Sequence, residues 1–204
     1  MGKIMILNGS PRASVSNSKR YADIFMKCCR GGVEYFSVSK NNHNDLCGEM
    51  EQFSDVLLVF PLYTDAVPVT LLNFLKTLEM NQPHRKPVIS VLINCGFMEP
   101  MQNDIAVKMI ELFCRQNGYK FGSVLKIGSG EAILSTPFKI FAILKIKKLA
   151  NSISVQKYES MEVTMPITKR MFIKASTAYW LRYGAKNGCT KEEMDTMMIG
   201  SRTM

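Results

Sequence analysis

Small polar and basic side chains crowd one short segment near the N terminus, and their types are those that bind phosphate. An apolar run at residues 4–7 stops at Asn8-Gly9, and six such residues follow: Ser10, Arg12, Ser14, Ser16, Asn17 and Ser18. Backbone N–H groups at the start of a helix point toward a bound anion, and hydroxyl side chains complete its hydrogen bonds. The segment therefore predicts a phosphate-binding loop between a buried strand and a helix.

Two other interpretations of this loop remain open from the residues alone. Serine and asparagine are common helix caps, so the side chains at residues 14–18 could serve only to begin the helix. Arg12 could be a solvated surface charge. Two frequent nucleotide motifs are absent, since no GxGxxG follows the first strand and no GxxxxGK[ST] occurs. The loop thus favours a terminal phosphate monoester over a dinucleotide or a nucleoside triphosphate.

The elements that would position this loop alternate between strand and helix. Apolar runs predict five strands, at residues 4–7, 33–38, 56–60, 88–93 and 119–127. This order predicts an α/β fold with an open five-stranded parallel sheet and helices on both faces. The loops at residues 8–18, 61–67 and 94–99 follow the carboxyl ends of strands. We expect them to converge at the edge where such sheets bind ligands.

Helical spacing predicts which residues of each helix are buried. Leu71, Leu75 and Leu78 recur on one face of the helix that Pro68 opens. In the helix after Pro100, the predicted core stripe is Ile105, Met109, Leu112 and Phe113. Further helices are predicted at residues 137–153 and 169–186. We predict one domain over residues 1–204, with a core at about residues 1–130 and a helical C-terminal extension at about residues 134–204.

Two motifs carry a resemblance to a known family. Gly9-Ser10-Pro11-Arg12 is followed by Ser16-Asn17-Ser18, and Pro61-Leu62-Tyr63 is followed by Pro68 and Leu72-Asn73-Phe74-Leu75. Over about residues 1–130 the chain resembles the flavodoxin-like NAD(P)H-dependent FMN reductases. The resemblance implies a flavodoxin-like fold that holds FMN at the carboxyl edge of its sheet. It does not distinguish reductases of flavins, quinones, azo compounds and nitro compounds from one another.

The resemblance also implies which residues hold the cofactor. The phosphate would rest on Ser10, Arg12, Ser16, Asn17 and Ser18. The isoalloxazine ring would lie against Pro61, Leu62, Tyr63 and Thr64, edged by Asn94, Cys95, Gly96 and Phe97. Thr64-Asp65-Ala66 departs from the family pattern, which frequently has a bulky aromatic residue or a glycine there, so the ring contacts stay open. Three of these residues also have simpler interpretations that leave cofactor binding aside. Tyr63 could lie at the rim of the site, Cys95 could only pack in the core, and Gly96 could only permit a turn with positive φ.

The activity implied by the resemblance is transfer of hydride or electrons from NAD(P)H through FMN to a small-molecule acceptor. No catalytic side chain is identified. Relatives in this family commonly dimerise, so a homodimer or higher homo-oligomer is also implied. The alternative is a flavodoxin-type FMN electron carrier without its own NAD(P)H activity. The net charge of +9 speaks against a carrier, because such carriers are usually acidic.

The composition limits which partners the protein could bind and where in the cell we expect it. Six cysteines without CxxC spacing and two histidines offer no plausible metal site. Reduced thiols and the lack of a long apolar run predict a cytoplasmic protein without a membrane span.

Residues 132–188 hold ten Lys/Arg against two Asp/Glu, which suits an acidic partner, a phosphorylated cosubstrate or a membrane surface. For the lysines at residues 139–148 we favour a sheet-covering helix over a membrane surface, and no nucleic-acid-binding motif is present.

Overall fold

A computed structural model describes residues 2–13, 15–29 and 31–196 of the chain. The chain divides into two compact units, Met1–Met165 and Pro166–Met204, which we call the N-terminal unit and the C-terminal unit. The N-terminal unit contains the described strands and the loops that follow them. The prediction that the whole chain forms a single domain stays a prediction.

The N-terminal unit is built on one parallel sheet. Its strands are β1 (Ile4–Asn8), β2 (Val33–Ser37), β3 (Asp55–Pro61), β4 (Val88–Asn94), β5 (Phe121–Ile127) and β6 (Ser160–Val163). They lie in the order β2-β1-β3-β4-β5-β6. The chain moves to one side of β1 for β2 and to the other side for β3, so the strand order reverses at β1. Such a switch point opens a crevice outside the carboxyl ends of the strands.

Helices cover both faces of the sheet. On one face α1 (Asn17–Cys28) packs against α5 (Lys139–Ser154). On the other face lie α2 (His43–Glu49), α3 (Val69–Met80) and α4 (Asp104–Gln116). The C-terminal unit contains α6 (Lys169–Lys186) and α7 (Lys191–Met194).

The apolar run of β3 shows why this arrangement needs two helical layers. Alternate side chains of a strand point to opposite faces. Val56, Leu58 and Phe60 belong to the core shared with α2, α3 and α4, whereas the equally buried Leu57 and Val59 do not. A strand whose two faces are both buried therefore has an uninterrupted run of apolar residues in its sequence. The five predicted strands are confirmed to within two residues at each end.

The sheet has six strands where the sequence predicted five. β6 pairs with β5, placing Met161 beside Leu125 and Val163 beside Ile127. It lies inside the stretch at residues 134–204 that was predicted to be helical. Its alternation of exposed and buried residues extends over only four positions, and an edge strand has one neighbour to pack with. So short a pattern gives too weak a signal for prediction.

The buried face of α4 differs from the predicted stripe. Ile105 and Leu112 are exposed, whereas Ala106, Ile110 and Cys114 are fully buried. Met109 and Phe113 pack only partly against the core. Two apolar stripes overlap on this helix, and helical spacing alone cannot choose between them. The small side chains of Ala106 and Cys114 let the helix approach the sheet closely, which selects their stripe.

Candidate functional site

An open cleft of about 390 Å³ lies at the carboxyl edge of the sheet, where the loops after β1 and β3, the last residue of β4 and the segment after β5 meet. Parallel pairing brings these strand ends level, since Asn8 aligns with Val59 and Pro61 aligns with Asn94. The cleft is lined by Ser10, Arg12, Val15, Ser16, Asn17, Ser18, Arg20, Pro61, Tyr63, Asn94 and Glu131. The loops after β1 and β3 therefore meet the end of β4 as the sequence predicted, whereas from the predicted loop at residues 94–99 only Asn94, the last residue of β4, lines the cleft.

The loop after β1 is held by the buried side chain of Asn8. Its Oδ1 accepts a hydrogen bond of 3.0 Å from the backbone N–H of Ser10, and its Nδ2 donates one of 3.1 Å to the carbonyl of Ala13. Gly9 is required for close packing, because a Cβ there would lie 2.7 Å from a methyl carbon of Leu71 on α3. The hydrogen bonds of Asn8 and the packing of Gly9 thus hold the loop in its conformation without a ligand.

Ser16 begins α1 and shows that one capping interpretation from the sequence is correct. Its Oγ accepts the backbone N–H of Lys19 at 3.1 Å and donates to the carbonyl of Ala13 at 2.7 Å. The first turn of a helix leaves N–H groups without helical acceptors. Asn17 and Ser18 occupy the first two positions of α1, and no described residue accepts a hydrogen bond from their N–H groups. Capping by Ser16 and anion binding by these two N–H groups are therefore compatible.

Asn94 connects three elements of the fold at the base of the cleft. Its Nδ2 donates hydrogen bonds of 3.2 Å both to Oγ of Ser18 and to the carbonyl of Phe60. The side chain is almost completely buried. Gly130 fits closely against it, because a Cβ on Gly130 would lie 2.8 Å from the Cβ of Asn94. Asn94 therefore connects the ends of β4 and β3 to the first turn of α1.

Arg20 and Glu131, which the sequence motifs do not include, also line the cleft. Arg20 donates to Oδ1 of Asn17 at 2.9 Å and to the carbonyl of Leu134 at 3.4 Å. Arg20 lies three residues after Asn17 on α1, a spacing that places both on one face and could have identified it. Glu131 follows β5, and only the tertiary structure brings it to this edge.

The loop after β3 is a tight turn. Tyr63 and Ala66 exchange backbone hydrogen bonds of 2.9 and 3.2 Å across Thr64 and Asp65. Both central residues have positive φ, 46° and 57°, as a type I′ turn requires. Tyr63 and Pro61 line the cleft, whereas Leu62 and Thr64 do not. The backbone N–H groups of Thr64 and Asp65 donate to no described residue.

Cys95, Gly96 and Phe97, which follow β4, do not line the cleft. The Cys95 thiol is buried, accepts a hydrogen bond of 3.3 Å from Nδ2 of Asn103 and donates to the carbonyl of Phe97 at 3.7 Å. Burial raises its thiol pKa, as expected for a packing cysteine. Gly96 does not adopt positive φ. The proposed ring contacts of Leu62, Thr64 and these three residues remain predictions.

The charges at the cleft favour an anion. Arg12 and Arg20 face it with exposed guanidinium groups, and Glu131 is the acidic residue among its lining. A planar guanidinium matches a phosphate through two parallel hydrogen bonds.

Among the described residues no cluster of three or more His, Cys, Asp or Glu side chains is arranged to hold a metal ion. Within the same residues, no helix combines the length and apolar character needed to cross a bilayer.

The sheet order, the two helical layers and the cleft at the switch point define a flavodoxin-like fold. The chain is similar to a flavodoxin from Streptococcus pneumoniae TIGR4, with 14% identity, a TM-score of 0.57 and coverage of 76% of this chain and 99% of that one. It is also similar to an NAD(P)H:quinone oxidoreductase from Methanothermobacter marburgensis, with 13% identity, a TM-score of 0.57 and coverage of 75% and 97%.

A third similar structure is an FMN-dependent NADH-azoreductase from Bacillus anthracis in complex with FMN, with 12% identity and a TM-score of 0.54. Here the match covers 75% of this chain and 99% of that one. No protein-family model and no curated protein matches the chain. At these identities the similarities establish the fold.

Proposed function

We propose that the cleft binds FMN and that the protein is an NAD(P)H-dependent oxidoreductase that reduces a small acceptor, such as a flavin, quinone, azo or nitro compound. One observation carries the proposal. Ser10, Arg12, Ser16, Asn17 and Ser18 come together at the sheet's switch point, beside Pro61 and Tyr63. The azoreductase with the same fold is FMN-dependent, and the quinone oxidoreductase uses NAD(P)H.

The phosphate end of FMN fits the donors present. A phosphate monoester offers three acceptor oxygens and close to two negative charges. The guanidinium of Arg12, the N–H groups of Asn17 and Ser18 and the hydroxyl of Ser10 supply complementary donors at one end of the cleft. The start of α1 adds the favourable end of a helix dipole. The cleft volume of about 390 Å³ lies within the usual range of small-molecule sites.

The ring end of FMN fits the loop after β3. The Tyr63 side chain is 42% exposed and lines the cleft with Pro61, which provides a flat apolar surface. Thr64 and Asp65 do not line the cleft, but no described residue accepts a hydrogen bond from their N–H groups. We expect these two donors to meet the polar edge of a bound ring. Aromatic stacking combined with backbone donors suits a ring that is apolar on its faces and polar at its edge.

When bound, FMN would supply the hydride chemistry between NAD(P)H and the acceptor. The tasks of this chain are then binding and orientation. Arg12 and the first turn of α1 hold the phosphate, and Tyr63 and Pro61 support the ring. Asn94 holds the ends of β3 and β4 and the first turn of α1 together through its hydrogen bonds to Ser18 and Phe60.

The binding proposal is tested by titrating purified protein with FMN and with riboflavin, which lacks the phosphate, followed by flavin fluorescence. We expect FMN to bind at least ten-fold more tightly than riboflavin. Arg12→Ala should weaken FMN binding by about 10- to 100-fold, the cost of losing a charge-assisted hydrogen bond, and leave riboflavin binding nearly unchanged. Arg85→Ala is the matched control, since Arg85 is exposed and lies outside the cleft lining. Equal affinities for both flavins would refute a phosphate site.

The second candidate is an FMN electron carrier, which the similarity to a flavodoxin favours. Steady-state oxidation of NADH and NADPH with a small quinone separates the two functions. Multiple turnovers per FMN would support the reductase. Bound FMN that neither nucleotide reduces would support the carrier.

A further inference from the structure

The long helix α6 of the C-terminal unit exposes most of its side chains. Of its 18 residues only Gly184 is buried, in contact with Met194 of α7. Tyr179, Trp180 and Tyr183 are 58%, 48% and 52% exposed. Helices in proteins gain most of their stability by packing one face against other elements rather than from helix propensity. Such an exposed aromatic face calls for a covering partner.

The aromatic side chains of α6 share one face. Phe172, Tyr179 and Tyr183 follow one another at helical spacing, with Ile173 and Trp180 beside them. The structure confirms that the rings are neighbours, since the centroids of Tyr179 and Trp180 lie 5.3 Å apart and those of Trp180 and Tyr183 lie 5.9 Å apart. Tryptophan and tyrosine have an apolar body and a polar tip, the combination enriched where a membrane meets water.

The charge of α6 identifies the kind of partner. The helix contains five basic residues and no acidic one: Lys169, Arg170, Lys174, Arg182 and Lys186. Two copies of such a face would repel each other. Exclusively basic charge together with exposed aromatic side chains complements the negative surface of an anionic bilayer. The acidic residues of the C-terminal unit lie beyond α6, in and after α7: Glu192, Glu193 and Asp195.

We propose that α6 is a membrane-surface helix that docks the protein on anionic phospholipid bilayers. Its aromatic face enters the headgroup region, and its lysine and arginine side chains reach the phosphates of the lipids. This surface differs from the lysine-rich segment at residues 139–148, which the sequence analysis assigned to a sheet-covering helix. That segment is α5, and its buried residues Ala142, Ile146 and Leu149 agree with that assignment.

The chain's single tryptophan, Trp180, makes the proposal directly testable in the full-length protein. Vesicles of phosphatidylcholine with 30% phosphatidylglycerol should shift the Trp180 emission to the blue, and brominated lipids should quench it. Cosedimentation with these vesicles should exceed that with pure phosphatidylcholine vesicles by roughly ten-fold or more and should fall with added salt.

Charge reversal on α6 is compared with the same change on α5. Arg170→Glu with Arg182→Glu should reduce vesicle binding by roughly ten-fold or more, while circular dichroism stays unchanged. Lys139→Glu with Lys147→Glu alters the net charge equally and should leave most of the binding, because both lysines are exposed on α5. A greater loss from the α5 variant would overturn the assignment to α6.

Two further results would refute the membrane proposal. One is Trp180 emission that is already blue in the absence of lipid and does not respond to anionic vesicles, because the face would then be covered by protein. The other is equal binding to neutral and anionic vesicles. Sedimentation velocity of the lipid-free protein shows whether a second copy is the covering partner.

Discussion

Single side chains at the edges of this fold connect elements that are far apart in the sequence. Lys126 on β5 is the clearest charged example. Its Nζ lies 2.6 Å from Oδ1 of Asp104 on α4 and 2.5 Å from Oε1 of Glu162 on β6. Glu162 is directly opposite Lys126 in the strand register. One buried lysine thus joins the last two strands and a helix.

The pKa of Lys126 gives a pH-dependent test of this triad. Burial lowers the pKa, but hydrogen bonds and charges from Asp104 and Glu162 outweigh it, so the pKa is raised. A raised pKa in the folded state means that the contribution to stability is fully present below the ordinary lysine pKa of about 10.4. It is lost as the pH rises through the folded-state value.

We expect Lys126→Met to lower the free energy of unfolding by about 1–2 kcal/mol at pH 7, because two carboxylates lose their shared cation. In urea denaturation the difference from the unmodified protein should shrink at pH 11. Lys148→Met is the control, since the ion pair of Lys148 with Glu159 is exposed and should contribute less than about 1 kcal/mol. A loss from Lys126→Met that grows between pH 7 and pH 11 would contradict this account.

At the scale of elements, the turn at Thr64 and Asp65 contains a local conflict between sequence and conformation. Both residues have positive φ, yet a threonine, with its branched Cβ, is unfavourable there. Asparagine and glycine are the usual residues of a type I′ turn. The chain therefore accepts strain at a loop that lines the candidate cofactor cleft, a common location for strain.

Replacing the turn with Thr64→Asn and Asp65→Gly should raise the free energy of unfolding by about 1 kcal/mol, because the new residues adopt positive φ more readily. Urea denaturation at pH 7 measures the change. Gln156→Gly is the comparison, since Gln156 also has positive φ but belongs to a different connection, the one between α5 and β6. Both variants should gain stability, and a loss from the turn variant alone would show that Thr64 or Asp65 makes a stabilising contact.

For the whole molecule, positive charge accumulates toward the C-terminal third, while the candidate cofactor cleft belongs to the N-terminal unit. The proposed functions therefore use different parts of the chain: phosphate binding uses the first turn of α1, and lipid binding uses α6. Failure of one proposal leaves the other standing. The homodimer and the cytoplasmic location implied at the outset stay predictions.

FMN binding should stabilise the whole fold. A ligand at 100-fold its dissociation constant adds about 2.7 kcal/mol of stability, which for a chain of this size raises Tm by roughly 5–10 °C. Differential scanning fluorimetry with FMN measures this shift. Riboflavin at the same concentration should give a smaller one, and Arg12→Ala should lose most of the FMN effect. An unchanged Tm at saturating FMN would contradict the cofactor assignment.

Local patterns in the sequence were sufficient to predict the fold class and five of the six strands. The apolar runs of β1, β3 and β4 are long and buried on both faces, so their residue types alone mark them as central strands. Because parallel strands end at one edge, their order also predicted that the loops after them would converge. Ser10, Arg12, Ser16, Asn17 and Ser18 all line the resulting cleft.

Only the tertiary structure decided features that depend on partners distant in sequence. The buried face of α4 follows from the close approach that Ala106 and Cys114 permit, and Glu131 reaches the cleft because β5 ends beside β4. β6 is a strand because β5 offers it an edge. Helical and strand periods are properties of a short segment, whereas the choice among equally periodic faces is made by packing energy between segments.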